Sequence, residues 1–173
     1  MSWRSVWEAG KIDNAYHTFN AGGVDWLVLT LELWPRPEAV AWAKSVVASH
    51  PQHNVIVATH AYLEADGSIG ATNGGYGATS PRYLFDNLIR VYPNVKLVLS
   101  GHVGRAGSRT DTGAHGNRIL SLLQTYHSGV TNPVRLVEID TAAGTVTSRV
   151  YGPYTNTEFP GDSTSTGGLT FRR

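Results

Sequence analysis

Three short apolar runs predict the central strands of this chain. They cover residues 26–32, 54–59 and 95–100. Each run is apolar at nearly every position, which is typical of parallel strands that are covered on both faces of a sheet. The pattern therefore predicts an α/β fold with at least three parallel strands.

Helical periods follow the first two runs. Residues 38–49 carry apolar side chains at i, i+3, i+4, i+7 and i+8, after a break at Pro35 and Pro37. A second helix is predicted to begin with Ser80 as its N-cap and Pro81 in its first turn, and to end near Tyr92. This strand–helix–strand order predicts that neighbouring strands lie parallel.

The rest of the chain has weaker patterns. The segments that we predict as C-terminal antiparallel strands are 118–126, 133–140 and 145–151, with a hairpin at 142–144. The segments predicted as irregular are the lead-in 1–23, the polar glycine-rich loops 65–79 and 105–117, and the tail 152–173. We expect a single α/β domain over residues 1–151, followed by an extended or disordered tail over 152–173.

Composition narrows the function classes. The formal net charge is +1 and no dense basic cluster occurs, so the sequence predicts no binding of nucleic acid. No apolar stretch is long enough for a membrane helix, and residues 1–10 lack the features of a secretion signal. The absence of cysteine excludes disulfides and thiolate ligands, so a metal would need His, Asp, Glu or Asn ligands.

Two histidines follow predicted strands directly. His60 comes after the strand 54–59, and His102 follows the strand 95–100. Because the carboxyl ends of parallel strands meet at one edge of the sheet, where α/β folds place their sites, we expect the two histidines to share a site. The alternative is that both cap strand ends through hydrogen bonds. Glu32 ends the first strand at the same edge, and we expect it to be the first solvent-exposed residue rather than a site carboxylate.

Three blocks of sequence resemble the calcineurin-like metallophosphoesterases, especially their bacterial secreted branch. The blocks are AGGVDWLVLTLE at 21–32, VIVATHAY at 55–62 and LVLSGHV at 97–103. Residues 122–126 and 136–140 look like the C-terminal strands of that branch. The resemblance implies a metallophosphoesterase-type β-sandwich flanked by helices, a phosphate mono- or diester substrate and a divalent metal (Zn, Mn or Fe). It also favours a secreted bacterial protein, although the chain itself leaves the location unassigned.

The family pattern runs Asp-x-His, Gly-Asp, Gly-Asn-His-Asp/Glu, a lone His and then Gly-His-x-His. This chain matches only its last part: His60 matches the lone histidine and His102 the first histidine of Gly-His-x-His, while Gly104 stands where the second would be. The resemblance therefore implies that His60 and His102 are metal ligands and catalytic residues. It also implies that the site in this chain is incomplete.

Four further residues are weaker candidates for the site. Glu32 and Glu64 could replace missing carboxylates, and Arg105 could face a phosphate instead of being a solvated loop arginine. His115 could be a replacement ligand, because its loop starts from the edge that carries His102. The remaining histidines (17, 50, 53 and 127) are expected at the surface, and the loop 73–76 is either a lid that contacts substrate or a connector.

Two functions of different class follow from these observations. The first is a metal-dependent phosphoesterase whose remaining ligands come from a partner, from a second copy or from unconventional residues of this chain. The second is a catalytically silent scaffold or assembly subunit that retains the fold. Because part of a sandwich exposes strand edges, we also expect a homo-oligomer or a partner that supplies the missing strands.

Overall fold

The computed structural model describes residues 5–126 and 132–173 and shows a mixed α/β protein with two sheets. The strands of the larger sheet are β1 Ser5–Val6, β2 Ala15–Ala21, β3 Val24–Leu31, β4 Asn54–Ala61, β5 Val95–Gly101, β6 Arg105–Thr112 and β7 Arg118–Thr125. The strands of the smaller sheet are β8 Val134–Asp140, β9 Thr145–Gly152, β10 Thr157–Glu158 and β11 Thr164–Thr166. The predicted hairpin at 142–144 joins β8 to β9 and is confirmed.

The larger sheet is mostly parallel, with the order β1-β2-β3-β4-β5-β7-β6. The three predicted parallel strands are confirmed as β3, β4 and β5, which pair directly with one another. The prediction that 118–126 belongs to an antiparallel set is wrong, because β7 pairs in parallel with β5. The cause is β6, which carries the chain back across the sheet before β7 begins.

Two segments predicted as irregular form strands. The lead-in contains β2, which pairs antiparallel with β3, and the loop 105–117 contains β6, which pairs antiparallel with β7. Both lie at or near a sheet edge, and their side chains are largely polar and partly exposed. Backbone pairing with an apolar neighbour stabilises such strands, so they lack the hydrophobic signal on which the prediction depended.

The predicted helices are confirmed, with one difference. Helix α1 is Pro37–Ser49, with proline in its first turn, and its buried face packs on the sheet. Helix α2 is Pro81–Leu84, and the Ser80 Oγ caps it by accepting from the Tyr83 N at 3.1 Å. The chain then continues as a π-helical turn, Phe85–Ile89, which an apolar stripe does not distinguish from α-helix.

The two faces of the larger sheet bury separate cores. One face packs against the helices, and the other packs against the smaller sheet through side chains that include Trp26, Leu97 and Val146. The tail 152–173 is extended and packed: β10 and β11 pair with β9, and Leu169 lies in the core between the sheets. None of the helices in the described residues is long and apolar enough to span a membrane.

Candidate functional site

The structure brings His60 and His102 together. Strands β4 and β5 are parallel neighbours, with Ala61 opposite Gly101, so both histidines lie at the edge where the parallel strands end, the carboxyl edge. Their ring centroids are 5.0 Å apart and the ring planes meet at 64°. The ring of His60 is exposed and that of His102 is half-buried. We call these two residues the histidine pair.

The backbone at His102 has an unusual conformation. Its φ angle is 75°, which few residues other than glycine adopt. The strand ends at this position, where the Val103 N donates to the Gly101 O at 3.0 Å. A sparsely populated conformation costs about 1–3 kcal/mol and persists where the surrounding structure determines it. The turn directs the chain away from the sheet immediately after His102.

Trp34 is a member of this site that sequence reasoning missed. It is buried, and its ring lies edge-on to that of His102, with the centroids 5.3 Å apart. Its φ angle is also positive, at 45°. The available signal was its position: a tryptophan three residues after the end of β3 lies at the same edge as the histidines. Trp34 therefore holds one side of the His102 ring.

The loop 73–77 wraps around Trp34. The ring of Tyr76 packs edge-on to that of Trp34, with the centroids 4.7 Å apart, and it remains 72% exposed. Asn73 Nδ2 donates to the Gly77 O at 2.6 Å and closes the loop. A Cβ at Gly77 would lie 2.5 Å from the Cβ of Trp34, so glycine permits this approach. The loop thus lies beside the histidine pair, and the two alternatives, a lid that contacts substrate and a connector, both stay predictions.

Glu32 is not the exposed residue that the sequence suggested. Its side chain is 17% exposed, and both of its oxygens accept from the Arg36 guanidinium at 2.9 Å. Asn14 Nδ2 donates to Glu32 Oε2 at 3.0 Å, and the Arg36 N donates to Oε1 at 2.9 Å. Burial alone would raise the pKa of Glu32, but the hydrogen bonds from Arg36 and Asn14 lower it to about 2. Glu32 is therefore an ionised structural group.

Arg36 completes this ionic network. Its Nη2 donates to Glu8 Oε2 at 2.9 Å, and its guanidinium lies 4.5 Å from the centroid of the Trp7 ring. The hydrogen bonds that Arg36 donates to Glu32 and Glu8 raise the pKa of Arg36. The network connects the lead-in segment to the end of β3 and pairs the Glu32 carboxylate with a guanidinium.

Of the other candidates, Glu64 and Arg105 follow β4 and β5 at the carboxyl edge, whereas His115 lies at the opposite edge. Glu64 is exposed in the turn after β4, and Arg105 is exposed at the start of β6 with a φ angle of 115°. The expectation that His115 belongs to this edge is wrong. Strand β6 has eight residues and spans about 26 Å, so it carries the chain to the opposite edge, where His115 adjoins Lys96 and Asn117.

The remaining histidines are more structural than expected. His50 is half-buried at the end of α1, with its Nδ1 2.8 Å from the Val46 O, and its ring packs against those of Tyr16 and His53. His17 lies half-buried on β2. His127 lies outside the described residues.

The histidine pair offers an incomplete set of metal ligands. Two neutral imidazole nitrogens suit zinc and similar ions, but a stable site adds carboxylates or further ligands. Within residues 5–126 and 132–173, no cluster of three or more His, Asp or Glu side chains is arranged to hold a metal. Glu32 is engaged by Arg36. A complete two-metal centre therefore does not fit the described part of this chain, whereas a two-ligand portion of one does.

Comparisons with known proteins give partial matches. No protein-family model matches the chain. A protein of Bacillus subtilis (strain 168), named "Uncharacterized protein YvnB", is 27% identical over 148 residues, which are 80% of this chain and 11% of that protein. A crystal structure at 2.05 Å of a candidate 5'-nucleotidase from Staphylococcus aureus, in complex with alpha-ketoglutarate, has a TM-score of 0.38 and 13% identity. It covers 93% of this chain and 30% of that one, so the chain spans a small part of both.

Proposed function

We propose that this chain supplies a two-histidine portion of a metal-dependent phosphoesterase centre of the calcineurin-like type. The observation that carries the proposal is the placement of His60 and His102 side by side at the carboxyl edge, with their ring centroids 5.0 Å apart. These are the two positions that match the family's lone histidine and its Gly-His-x-His motif. The substrate class that follows is a phosphate mono- or diester.

The surroundings of the histidine pair support ligand binding. The ring of His102 lies between those of His60 and Trp34, so packing limits its orientation before any ligand arrives. His60 remains exposed and can be reached from solvent. The hydroxyl of Thr125 is buried beside Gly101 without a hydrogen-bond partner among the described residues, which leaves a polar atom below the pair. A preorganised imidazole loses little freedom on binding a metal.

The remaining ligands must come from elsewhere in this proposal. Their sources are residues outside the described ranges, a second copy of the chain or a separate partner. Because two neutral ligands leave the charge of a divalent ion uncompensated, the histidine pair alone binds metal weakly, and hydrolysis requires the completed site.

A catalytically silent scaffold is the second candidate function. Two observations favour it. The Glu32 carboxylate is ion-paired with Arg36, and Gly104 stands where the family motif has its second histidine. In that case the strands form a structural subunit of an assembly, and the histidine pair binds no metal.

Metal content and turnover together test the proposal. Protein purified without chelator and equilibrated with zinc or manganese is analysed by elemental mass spectrometry, and hydrolysis of an aryl phosphodiester is measured in parallel. We expect metal to be bound by the unmodified chain at equilibrium with excess ion, and this binding to be lost in His60→Ala and His102→Ala. His115→Ala is the matched control, since this histidine lies at the opposite edge, and it should retain metal.

The outcomes separate the two functions. Turnover that disappears in His102→Ala would support the phosphoesterase. Bound metal without turnover, lost in His60→Ala and His102→Ala, would support a two-histidine portion of a site that further residues complete, whereas the scaffold predicts no metal at the pair. Metal retained equally in all three variants, or bound by none of the proteins, would overturn the assignment of the histidine pair.

A further inference from the structure

A polar cavity lies at the edge of the larger sheet where the parallel strands begin, opposite the histidine pair. Its volume is about 390 Å³. It is lined by the nitrogen-bearing side chains of Lys96, His115, Asn117 and Arg172, and by apolar walls from Pro93 and Phe171. No acidic residue of the described part of the chain lines it. We call it the amino-edge cavity.

Lys96 is buried in the wall of this cavity. It is 3% exposed, and its Nζ donates to the Pro93 O at 2.8 Å. Among the described residues, neither Lys96 nor Arg172 forms an ion pair. Burial lowers the pKa of Lys96 to about 8, with a smaller contribution from Arg172. An ammonium has three donors and is costly to bury without a counter-charge, so the cavity favours an anion.

The backbone of Arg172 is held in place by the side chain of Asn54. The fully buried Asn54 side chain accepts from the Arg172 N at 2.8 Å and donates to the Arg172 O at 2.9 Å. The Nε of Arg172 is buried without a hydrogen-bond partner among the described residues. The Arg172 guanidinium, which has an unused donor, lies beside the buried Lys96 ammonium. These two groups together match a planar or tetrahedral oxyanion.

We propose that the amino-edge cavity binds the oxyanion group of a small molecule, with Lys96 and Arg172 as the charged donors and His115 at the rim. The cavity is larger than a bare phosphate requires, and its Pro93 and Phe171 walls suit an apolar portion of the same ligand. The site is separate from the histidine pair and does not depend on the proposed phosphoesterase activity.

Calorimetric titration of the full chain with inorganic phosphate, pyrophosphate and malonate tests the proposal. We expect saturable binding of at least one of these anions. Stronger binding of phosphate or pyrophosphate would identify a phosphate-bearing ligand, and stronger binding of malonate a carboxylate-bearing one. Loss of a charged hydrogen bond should weaken the affinity roughly tenfold or more in Lys96→Met and in Arg172→Gln.

Two features keep this test decisive. Lys44→Met removes a lysine from helix α1, outside the cavity, and should bind the anion with unchanged affinity. Arg172→Gln leaves the backbone clamp by Asn54 intact, so it provides a folded variant if Lys96→Met does not fold. Failure of all three anions to bind the unmodified chain, or equal affinity in Arg172→Gln, would overturn the proposal.

Discussion

At the scale of single residues, the histidine pair was predictable and its supporting side chains were not. An apolar run that ends in histidine occurs twice in the sequence. Because parallel strands end together, this pattern places both side chains at one sheet edge. The contact of Trp34 with His102 depends on a positive φ angle and on the path of the loop 73–77, and neither has a periodic signal. The ion pair of Glu32 depends on Arg36, which lies between Pro35 and Pro37.

Glu32 gives a pH-dependent prediction. Its folded pKa of about 2 lies below the ordinary value of 4.5, so its carboxylate stabilises the fold above pH 4.5 and loses this effect as the pH falls towards 2. The shift corresponds to at most about 3 kcal/mol, and exposure of Arg36 reduces it, so Glu32→Gln should cost about 1–2 kcal/mol at pH 7. Urea unfolding of both proteins at pH 7 and pH 3 measures this, and the difference should shrink at pH 3.

An exposed carboxylate is the control for that experiment. Glu138→Gln removes the same charge from the outer strand β8, where the side chain is exposed and forms no ion pair among the described residues. Its cost should be close to zero at both pH values. A cost for Glu32→Gln that does not change with pH would contradict the ionic account.

Gly104 gives a prediction about metal binding. A Cβ at this exposed position would meet no atom within 4 Å, so Gly104→His should fold without strain. The change restores the second histidine of the family motif and adds an imidazole two residues after His102. We expect tighter zinc binding by calorimetry than in the unmodified chain. Gly161→His, at another glycine where a Cβ would meet no atom within 4 Å, is the comparison variant and should bind zinc as the unmodified chain does.

At the scale of elements, buried strands were predicted well and edge strands were missed. Strands β3, β4 and β5 are covered on both faces, so nearly every residue carries the apolar signal. Strand β6 has polar side chains and is held by pairing with β7. Because β6 was not predicted, His115 was also assigned to the wrong edge. A strand that returns across the sheet places the residues after it at the opposite edge.

The start of helix α2 gives a prediction at this scale. The Ser80 Oγ accepts from the Tyr83 N, and an alanine there would leave that amide without its partner. We expect Ser80→Ala to lower the free energy of unfolding by about 1 kcal/mol, measured by urea denaturation. Ser45→Ala, inside α1 on its exposed face, should change stability by a few tenths at most. An equal effect of both changes would contradict the capping role.

At the scale of the whole molecule, the two sheets and the helices form three layers. The order of strands and helices allowed the α/β class and the parallel core to be predicted. The packing of the tail was not predictable, because it depends on Leu169 and on the Asn54 clamp across 118 residues of sequence. Such long-range contacts leave no local pattern of hydrophobicity.

Association is the prediction that belongs to this scale. Strand β8 pairs only with β9 among the described strands, and it exposes Val134, Leu136 and Val137. An unpaired edge with apolar side chains favours pairing with a second copy or a partner. Light scattering after gel filtration should show a species larger than the monomer at micromolar concentration. Leu136→Lys should reduce its size, and a monomer for the unmodified chain would contradict the prediction.

A control with the same chemistry is available for that experiment. Ile12→Lys replaces another exposed apolar residue, which is 77% exposed and lies outside β8. It should leave the association unchanged. Equal loss of association in both variants would point to a general effect of charge rather than to the edge of β8.

The most direct test of the histidine pair is a zinc titration followed through the imidazole nitrogen resonances of the ¹⁵N-labelled chain. We expect the resonances of His60 and His102 to shift together with the same midpoint, while that of His115 stays in place. Absence of any shift at His60 and His102, or shifts of the two residues with unrelated midpoints, would contradict a shared metal site.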